Sequence, residues 1–391
     1  MKVLHALNYH RAAWGSDQAW EKTLALSRQS GLDVRVFSRD SRTLRGLGGR
    51  STAFVSGIYA PESLRDFSRE LQTFAPDVVH THELYPLISP WILRRCRRAG
   101  VPVVHTCYDY RLTCPIATHV TGGEICRRCV GGHEHWAVLK NCRGHYAESV
   151  AYALRSAVAR HFRLYIDNVD HFLVPTEFSR QWLSEQVGVS PGRMTVQPCV
   201  IALPPTPADP AAGSYVAFAG RFAPEKGVDL LIEAARAAGL PLRLAGNADT
   251  HPAIRPGDDV QCVVTRSAEE LAQFYRGARL LVMPSLWEET FGVVAAEAMS
   301  HGVPVIAAAI GALAHTVVDQ ATGLLFEPRN GGALAAVMRQ LWDDPELCRR
   351  LGAAGRQKVK TQFDEASHVR HLMDAYEAAL AGAHRPAADR S

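Results

Sequence analysis

The chain has 391 residues, 47% of them hydrophobic and 21% charged. That is enough for two or three domains with cores of their own, and it excludes a disordered chain, a collagen-like fibre and a small disulfide scaffold. Its 43 basic and 39 acidic residues leave a net charge of +4, too small to announce a nucleic-acid partner.

In chain order, Met1–Leu7 holds one Lys and an apolar run that breaks at Asn8, with no small-residue cleavage pattern behind it. It reads as a first strand, Val3–Leu7, rather than a secretory signal. A helix over Asp17–Gln29 follows, then strand Asp33–Phe37, strand Val78–His80, helix Pro86–Ala99 and strand Val101–His105. After these come strand His171–Val174, helix Thr176–Val187 and strand Met194–Gln197. The segment Val196–Gly213 is proline-rich and has linker composition. A second alternating half comprises strand Tyr215–Ala219, helix Val228–Ala238, strand Leu242–Ala245, helix Ser267–Arg276, strand Leu280–Met283, helix Phe291–His301 and strand Val303–Ala307. From Gly331 the pattern is mainly helical.

The alternation predicts parallel sheets covered by helices. It gives two doubly wound α/β domains, residues 1–198 and 199–365, facing a cleft, with ligands outside the carboxyl ends of the strands. Residues 366–391 read as a helix returning to the first domain and a flexible tail. Ala298–Val318 carries no Asp, Glu, Lys or Arg, but His301, Gly302, Pro304, Gly311 and His315 punctuate it, which is not a membrane-spanning pattern. The expected location is the cytoplasm.

Two stretches carry chemistry. In Pro284-Ser285-Leu286-Trp287-Glu288-Glu289-Thr290-Phe291-Gly292, a strand runs through a tight loop into a helix. Glu289 and Glu297 then fall about two turns apart, on roughly one face and about 12 Å from each other. The N–H groups of Phe291, Gly292 and Val293 suit an anion, and carboxylates suit sugar hydroxyls. A plain helix-start charge at Glu289 and a solvated Glu297 are the alternative. In Ala219-Gly220-Arg221-Phe222-Ala223-Pro224-Glu225-Lys226-Gly227, an Arg and a Lys converge on a helix start, as a diphosphate requires; a surface turn with two solvated cations is the alternative. No Asp-x-Asp occurs, which fits transfer without a catalytic metal, Arg221 and Lys226 replacing the ion's charge. Gly188-Val189-Ser190-Pro191-Gly192 matches the hydrolase elbow in letters only, since a helix precedes it and a strand follows.

Of nine cysteines, Cys107, Cys114, Cys126, Cys129 and Cys142 fall within 36 residues. The last four form C-x11-C-x2-C-x12-C in a glycine-rich segment, the count and spacing of a structural zinc site. His133 and His135 are alternative ligands, and reduced thiols or disulfides alternative states. Four cysteines would close the coordination sphere, so a catalytic zinc is not expected. Arg94, Arg95, Arg97 and Arg98 follow Trp91, Ile92 and Leu93, a combination suited to peripheral contact with an anionic membrane at its inner face; ordinary helix-terminal cations are the alternative.

Together the Glu-x7-Glu pair at Glu289 and Glu297, the run Gly220 to Gly227, the run Glu297 through Ala307 and Gly323-Leu324-Leu325-Phe326 resemble the retaining glycosyltransferases of family 4, which have the GT-B fold. The resemblance covers most of the chain. It implies that Gly220, Arg221 and Lys226 hold the donor diphosphate and that Glu297 binds the donor ribose. Glu289 would contact sugar hydroxyls, and Thr290, Phe291, Gly292 and Val293 would line the pocket through their backbone.

On the acceptor side, Tyr9–Asp17 stands where the family has a glycine-rich loop, with only Gly15 of the usual pair, after Trp14. Tyr108 takes the place of the usual His before Asp109. A phenol donates a hydrogen bond but is no acid or base near neutral pH. Gly246-Asn247-Ala248-Asp249 and Gly311-Ala312-Leu313-Ala314-His315 depart from the family's runs, and His315 reads as surface. A subgroup with similar Cys-rich inserts (here residues 107–142), active in lipid-linked polysaccharide assembly, looks nearest. The function implied is retaining transfer from a nucleotide-sugar donor to a hydroxyl of a glycan, lipid-linked or small-molecule acceptor. A sugar-nucleotide 2-epimerase of the same fold and a non-catalytic zinc-dependent interaction protein are the rivals.

Overall fold

The computed structural model of the chain describes residues 1–9, 15–44, 46–246 and 259–383. Trp14, most of the Tyr9–Asp17 loop, Asn247 to Asp249 and the expected tail beyond residue 383 lie outside them. The chain divides into two compact units. One comprises Met1–His119, Cys126–Gln197 and His368–Ser391, and the other Val120–Ile125 and Pro198–Ser367.

The first unit runs β1 (Lys2–Tyr9), α1 (Gly15–Gln29), β2 (Asp33–Asp40), α2 (Gly46–Ile58), α3 (Pro61–Phe74), β3 (Val78–Thr81), α4 (Trp91–Arg98) and β4 (Val103–Thr106). After the hairpin β5 (Val120–Thr121) and β6 (Glu124–Ile125), which groups with the second unit, it continues with α5 (His135–Leu139), α6 (Tyr146–His161), β7 (His171–Val174), α7 (Glu177–Val187) and β8 (Met194–Val196). Among the described residues its sheet has the order β2-β1-β3-β4-β7-β8, and each neighbouring pair is parallel.

The second unit holds β9 (Tyr215–Ala219), α8 (Val228–Ala238), β10 (Leu242–Ala245), β11 (Val260–Val263), α9 (Ala268–Arg276), β12 (Ala278–Met283), α10 (Val293–Ser300) and β13 (Val305–Ala308). It ends with α11 (Leu313–Thr316), β14 (Gly323–Phe326), α12 (Gly331–Asp343) and α13 (Pro345–Gln362). Its parallel sheet is ordered β11-β10-β9-β12-β13-β14.

The central strands of both sheets are buried on both faces, which is why they are apolar runs rather than alternating ones, whereas the edge strands β2, β8 and β11 are partly exposed. In the second unit, Val216, Phe218, Leu242, Leu244 and Val282 pack against α8 and α12, while Ala217, Ala219, Leu281 and Met283 pack against α10 and α13. In the first unit one face meets Phe67, Leu71, Phe74, Ile92 and Leu93 of α3 and α4. The other meets α14 (Glu365–Ala383), whose Leu372, Ala375, Tyr376 and Ala379 cover Val3, Val78, Val104 and Leu173.

Some expected boundaries move for local reasons. The helix expected over Pro86–Ala99 starts only at Trp91, because Ser89 sits at φ +67° and Pro90 precedes the first turn. The helix expected from Phe291 starts at Val293, because Gly292 takes the left-handed φ of +87°. In α4, Ile92 and Leu93 are core residues and the Trp91 indole donates to the Ile58 carbonyl at 3.0 Å. Ile92 and Leu93 are therefore not the apolar anchor that their place beside the arginines suggested. Among the described residues, no helix is long and apolar enough to cross a membrane.

Candidate active site

β9 and β12 are parallel neighbours, so both charged loops of the second unit leave the sheet at the same edge. They are stitched together: the Leu286 N–H donates to the Glu225 carbonyl at 2.8 Å. Gly227, at φ +69°, sits where a Cβ would lie 2.1 Å from the Pro284 carbonyl oxygen. Only glycine permits both the conformation and the approach. A third loop, after β13, joins through the Ala312 N–H, which donates to the Glu289 carbonyl at 2.9 Å.

This packing brings Lys226 to Glu289. The Nζ donates to Oε1 at 2.6 Å, with the two side chains only 17% and 11% exposed. The same Oε1 accepts from Ser285 Oγ at 3.0 Å and Trp287 Nε1 at 3.0 Å, and Nζ lies 5.0 Å from the centre of the Trp287 ring. The carboxylate thus fixes the ammonium in place and balances its charge. Arg221 is more open, 59% exposed, and bonds Glu225 Oε1 at 3.0 Å. Gly220 joins β9 to this loop at φ +144°. Phe291 points into the core against Phe363, 5.1 Å between ring centres, so only its backbone faces the loop. Thr290 is half-buried, and Gly292 and Val293 open α10, where the N–H groups of a first turn point outward.

Glu297 is on α10 and Glu289 in the loop before it, so the two are not one helical face as their spacing suggested; Gly292 breaks the helix between them. The Glu297 Oε2 accepts from the Tyr275 hydroxyl at 2.9 Å, and burial raises its carboxyl pKa. His315 is exposed on α11. Ser285, Trp287 and Tyr275 were not assigned from sequence. The first two alternate with Glu289 in Ser-x-Trp-x-Glu, a readable signal, whereas Tyr275 gives none.

In the first unit, Gly15 opens α1. Tyr108 and Asp109 follow β4, and His82 follows β3. The Tyr108 hydroxyl is 2.9 Å from His82 Nδ1, and His82 Nε2 is 3.0 Å from His5 Nδ1. Asp109 accepts from the Arg111 backbone N–H and from its guanidinium, each at 2.9 Å, and Arg111 also pairs with Glu83. Burial raises the Asp109 pKa, opposed by Arg111. His82, Tyr108, Asp109 and Arg111 line a cavity of about 20 Å³, room for one water-sized group.

Among the described residues, His5, His80 and His82 place three metal-type ligand atoms within 4.8 Å of one another. Burial holds His5 down to about 3 and His80 and His82 well below the usual imidazole value, so all three are neutral. Both ring nitrogens of His80 are engaged, by the Tyr376 hydroxyl at 2.9 Å and Thr106 Oγ1 at 2.8 Å, as are both of His82. An ion would have to displace these bonds, and none is assigned.

The four cysteines of the insert gather around Cys129. Burial first, then the charges of Cys114, Cys142 and Cys126, push its thiol up to about 12. Cys114 and Cys129 are buried, and Cys126 and Cys142 half-buried. The donor types suit structural zinc.

The family model described as "Glycosyltransferase Family 4" matches residues 22–203, and that described as "Glycosyl transferases group 1" matches residues 208–358. The D-inositol 3-phosphate glycosyltransferase of Mycobacteroides abscessus is 28% identical over 360 residues, covering 85% of this chain and 72% of that protein. Its namesake in Streptomyces avermitilis is 43% identical over 118 residues, 30% of this chain and 25% of that one. Among solved structures, sucrose-phosphate synthase from Thermosynechococcus elongatus superposes with a TM-score of 0.71 at 21% identity, over 97% of this chain and all of that one (100%). Anabaena HepE, solved in complex with UDP and glucose, gives 0.64 at 17% identity, over 97% and 100%. These structural likenesses bear on the fold alone. The two adjoining matches to glycosyltransferase family models together span most of the chain, and its two parallel-sheet units have the GT-B fold.

Proposed function

We propose that the protein is a retaining glycosyltransferase that moves a sugar from a nucleotide-sugar donor to a hydroxyl of a glycan, lipid-linked or small-molecule acceptor in polysaccharide or glycoconjugate assembly. The observation that carries this is the Lys226–Glu289 pair, clamped at the strand ends beside Arg221 and the start of α10. A cation held this rigidly needs no reorganisation when charge develops on a departing diphosphate. Lys226, Arg221 and the first N–H groups of α10 receive that charge. Glu297 takes the ribose hydroxyls, and the Glu289 carboxylate meets sugar hydroxyls with its capacity beyond the three donors it already holds. The acceptor hydroxyl attacks from the face the diphosphate leaves, so the anomeric configuration is kept. Tyr108 and Asp109 serve the sugar and acceptor side. HepE, named with UDP and glucose, supports a nucleotide-sugar of this class.

A panel of UDP-, GDP- and other nucleotide-sugars tests the reading. One donor is expected to bind and to release free nucleotide only when an acceptor is added, with a product whose anomeric configuration, read by NMR, equals the donor's. Release without acceptor alongside an epimerised sugar would instead identify a 2-epimerase, and an inverted product would refute retention.

For the insert we propose one structural zinc held by Cys114, Cys126, Cys129 and Cys142. Metal analysis of protein purified without chelator is expected to return about one zinc per chain. A value below about 0.2 would leave a group of reduced thiols.

A further inference from the structure

Along α6 and its C-cap, Tyr146, Val150, Leu154 and Phe162 are 65%, 40%, 42% and 47% exposed, with half-buried Val158 completing a spacing of four. That spacing follows one ridge, about 24 Å long at 1.5 Å per residue, which turns by about 40° around the helix at each step. The ridge continues onto neighbouring helices through its aromatic end. The Phe162 ring lies 5.0 Å from Trp91 of α4, and Trp91 lies 5.8 Å from exposed Tyr59, which follows α2. Val55, one turn before Tyr59, is 59% exposed. The same helices already bury their other faces, through Ile92, Leu93, Cys96, Ala153 and Ala159. An exposed apolar surface of this extent, built on packed helices, marks a partner.

The charge around it selects the partner. Helices α2, α4 and α6 carry a single acidic residue between them, Glu148, and it is paired with Arg143 at 3.3 Å. Beside Trp91, α4 presents Arg94, Arg95, Arg97 and Arg98, all exposed, and the Arg94 guanidinium lies 5.9 Å from the Trp91 ring centre. His161 flanks Phe162. We propose that this face docks the protein onto an anionic membrane surface, lying in the headgroup region rather than crossing it. Val150, Leu154 and Phe162 enter the acyl boundary, Tyr59, Trp91 and Tyr146 sit at headgroup level, and the α4 arginines meet lipid phosphates. A second copy is a poorer occupant, because the helices of this face offer the four exposed α4 arginines no matching acidic cluster. The inference does not depend on which sugar is transferred.

The test is sedimentation of the full-length protein with vesicles of phosphatidylglycerol and phosphatidylcholine, against vesicles of phosphatidylcholine alone. Binding to the anionic vesicles is expected, weakening with salt. Leu154→Asp with Phe162→Asp is expected to reduce it at least tenfold. Replacing the four α4 arginines by Gln is expected to reduce it by more than about 100-fold, at about fivefold per charge. The substituted side chains are exposed, so unchanged circular dichroism and thermal unfolding serve as the folding control. Wild-type protein left in the supernatant with anionic vesicles would overturn the proposal, as would variants that sediment as the wild type does. Analytical ultracentrifugation showing a dimer that the same substitutions dissociate would make a second copy the occupant and overturn it as well.

Discussion

Lys226→Ala is expected to lower kcat/KM for sugar transfer by about 100- to 1,000-fold, the cost of removing one preorganised group that receives developing charge. The loss should fall mainly on kcat, because the charge on the departing diphosphate is greatest in the transition state. Glu289→Ala should be comparably severe, since it frees the ammonium that three loops converge to hold. Glu289→Gln should be milder: the amide oxygen still accepts from Ser285 and Trp287, but it cannot balance Lys226. Because the two side chains act as one unit, the double variant Lys226→Ala/Glu289→Ala should lose little more than either single one. Steady-state kinetics on the donor identified by the panel provide the measurement, with circular dichroism to show that the variants fold. Lys226→Ala within about twofold of wild type would remove the pair from the reaction.

Acid should unfold the first unit at a mildly acidic pH. Burial is the main cause that lowers the imidazoles of His5, His80, His82, His105, His119 and His171, to about 3 for His5, to about 4 for His105, His119 and His171, and well below normal for the other two. In the unfolded chain they titrate near 6.5. The folded form therefore binds fewer protons than the unfolded form between about pH 6.5 and 4, and the stability present above 6.5 is lost as pH falls through that window. Each imidazole costs about 1.4 kcal/mol one pH unit below 6.5. His5, His105, His119 and His171 together amount to on the order of 6 kcal/mol, a large share of the stability of a domain, and His80 and His82 act in the same direction. Hydrogen exchange should show the amides of β1, β3, β4 and β7 losing protection between about pH 6.5 and 5. Among the described residues of the second unit, His301 alone is comparably depressed, to about 4, so β9, β12 and β13 should hold to lower pH. Equal protection of both units down to pH 5 would contradict the burial of neutral imidazoles in the first.

These two predictions rest on features that differed in how far they could be read. Strands His171–Val174, Tyr215–Ala219 and Leu242–Ala245 and helix Val228–Ala238 stand where the apolar runs and their glycine stops put them. A buried parallel strand is a continuous apolar run, and Gly239 at φ +63° ends its helix in the left-handed conformation. Helix α2 was not expected, since Gly46, Gly48 and Gly49 weaken the helical signal at its start; helix α3 was not expected either, although Leu64, Phe67, Leu71 and Phe74 recur at helical spacing. At the site, residue types and their loops were legible, but partners were not. Lys226 and Glu289 are 63 positions apart, and no local pattern pairs them. The histidine group draws on β1 and the end of β3, 77 positions apart for His5 and His82, and a His inside an apolar strand carries no mark of what it will meet. The arginine cluster was visible from sequence, whereas two of its apolar companions, Ile92 and Leu93, belong to the core. Periodicity marks the residues around Trp91 as amphipathic without saying which side the core takes.

The return of α14 to the first sheet has a consequence for synthesis. Tyr376, which bonds His80 and covers β1, β3, β4 and β7 together with Leu372 and Ala379, leaves the ribosome only after every residue of the second unit has been made. The second unit, whose residues from Pro198 to Ser367 are nearly continuous, can complete its core while the nascent first unit still shows one uncovered apolar face. The order of emergence thus reverses the order of maturation: the half of the chain made first is finished last, and until then that bare face is where a chaperone would hold the nascent protein.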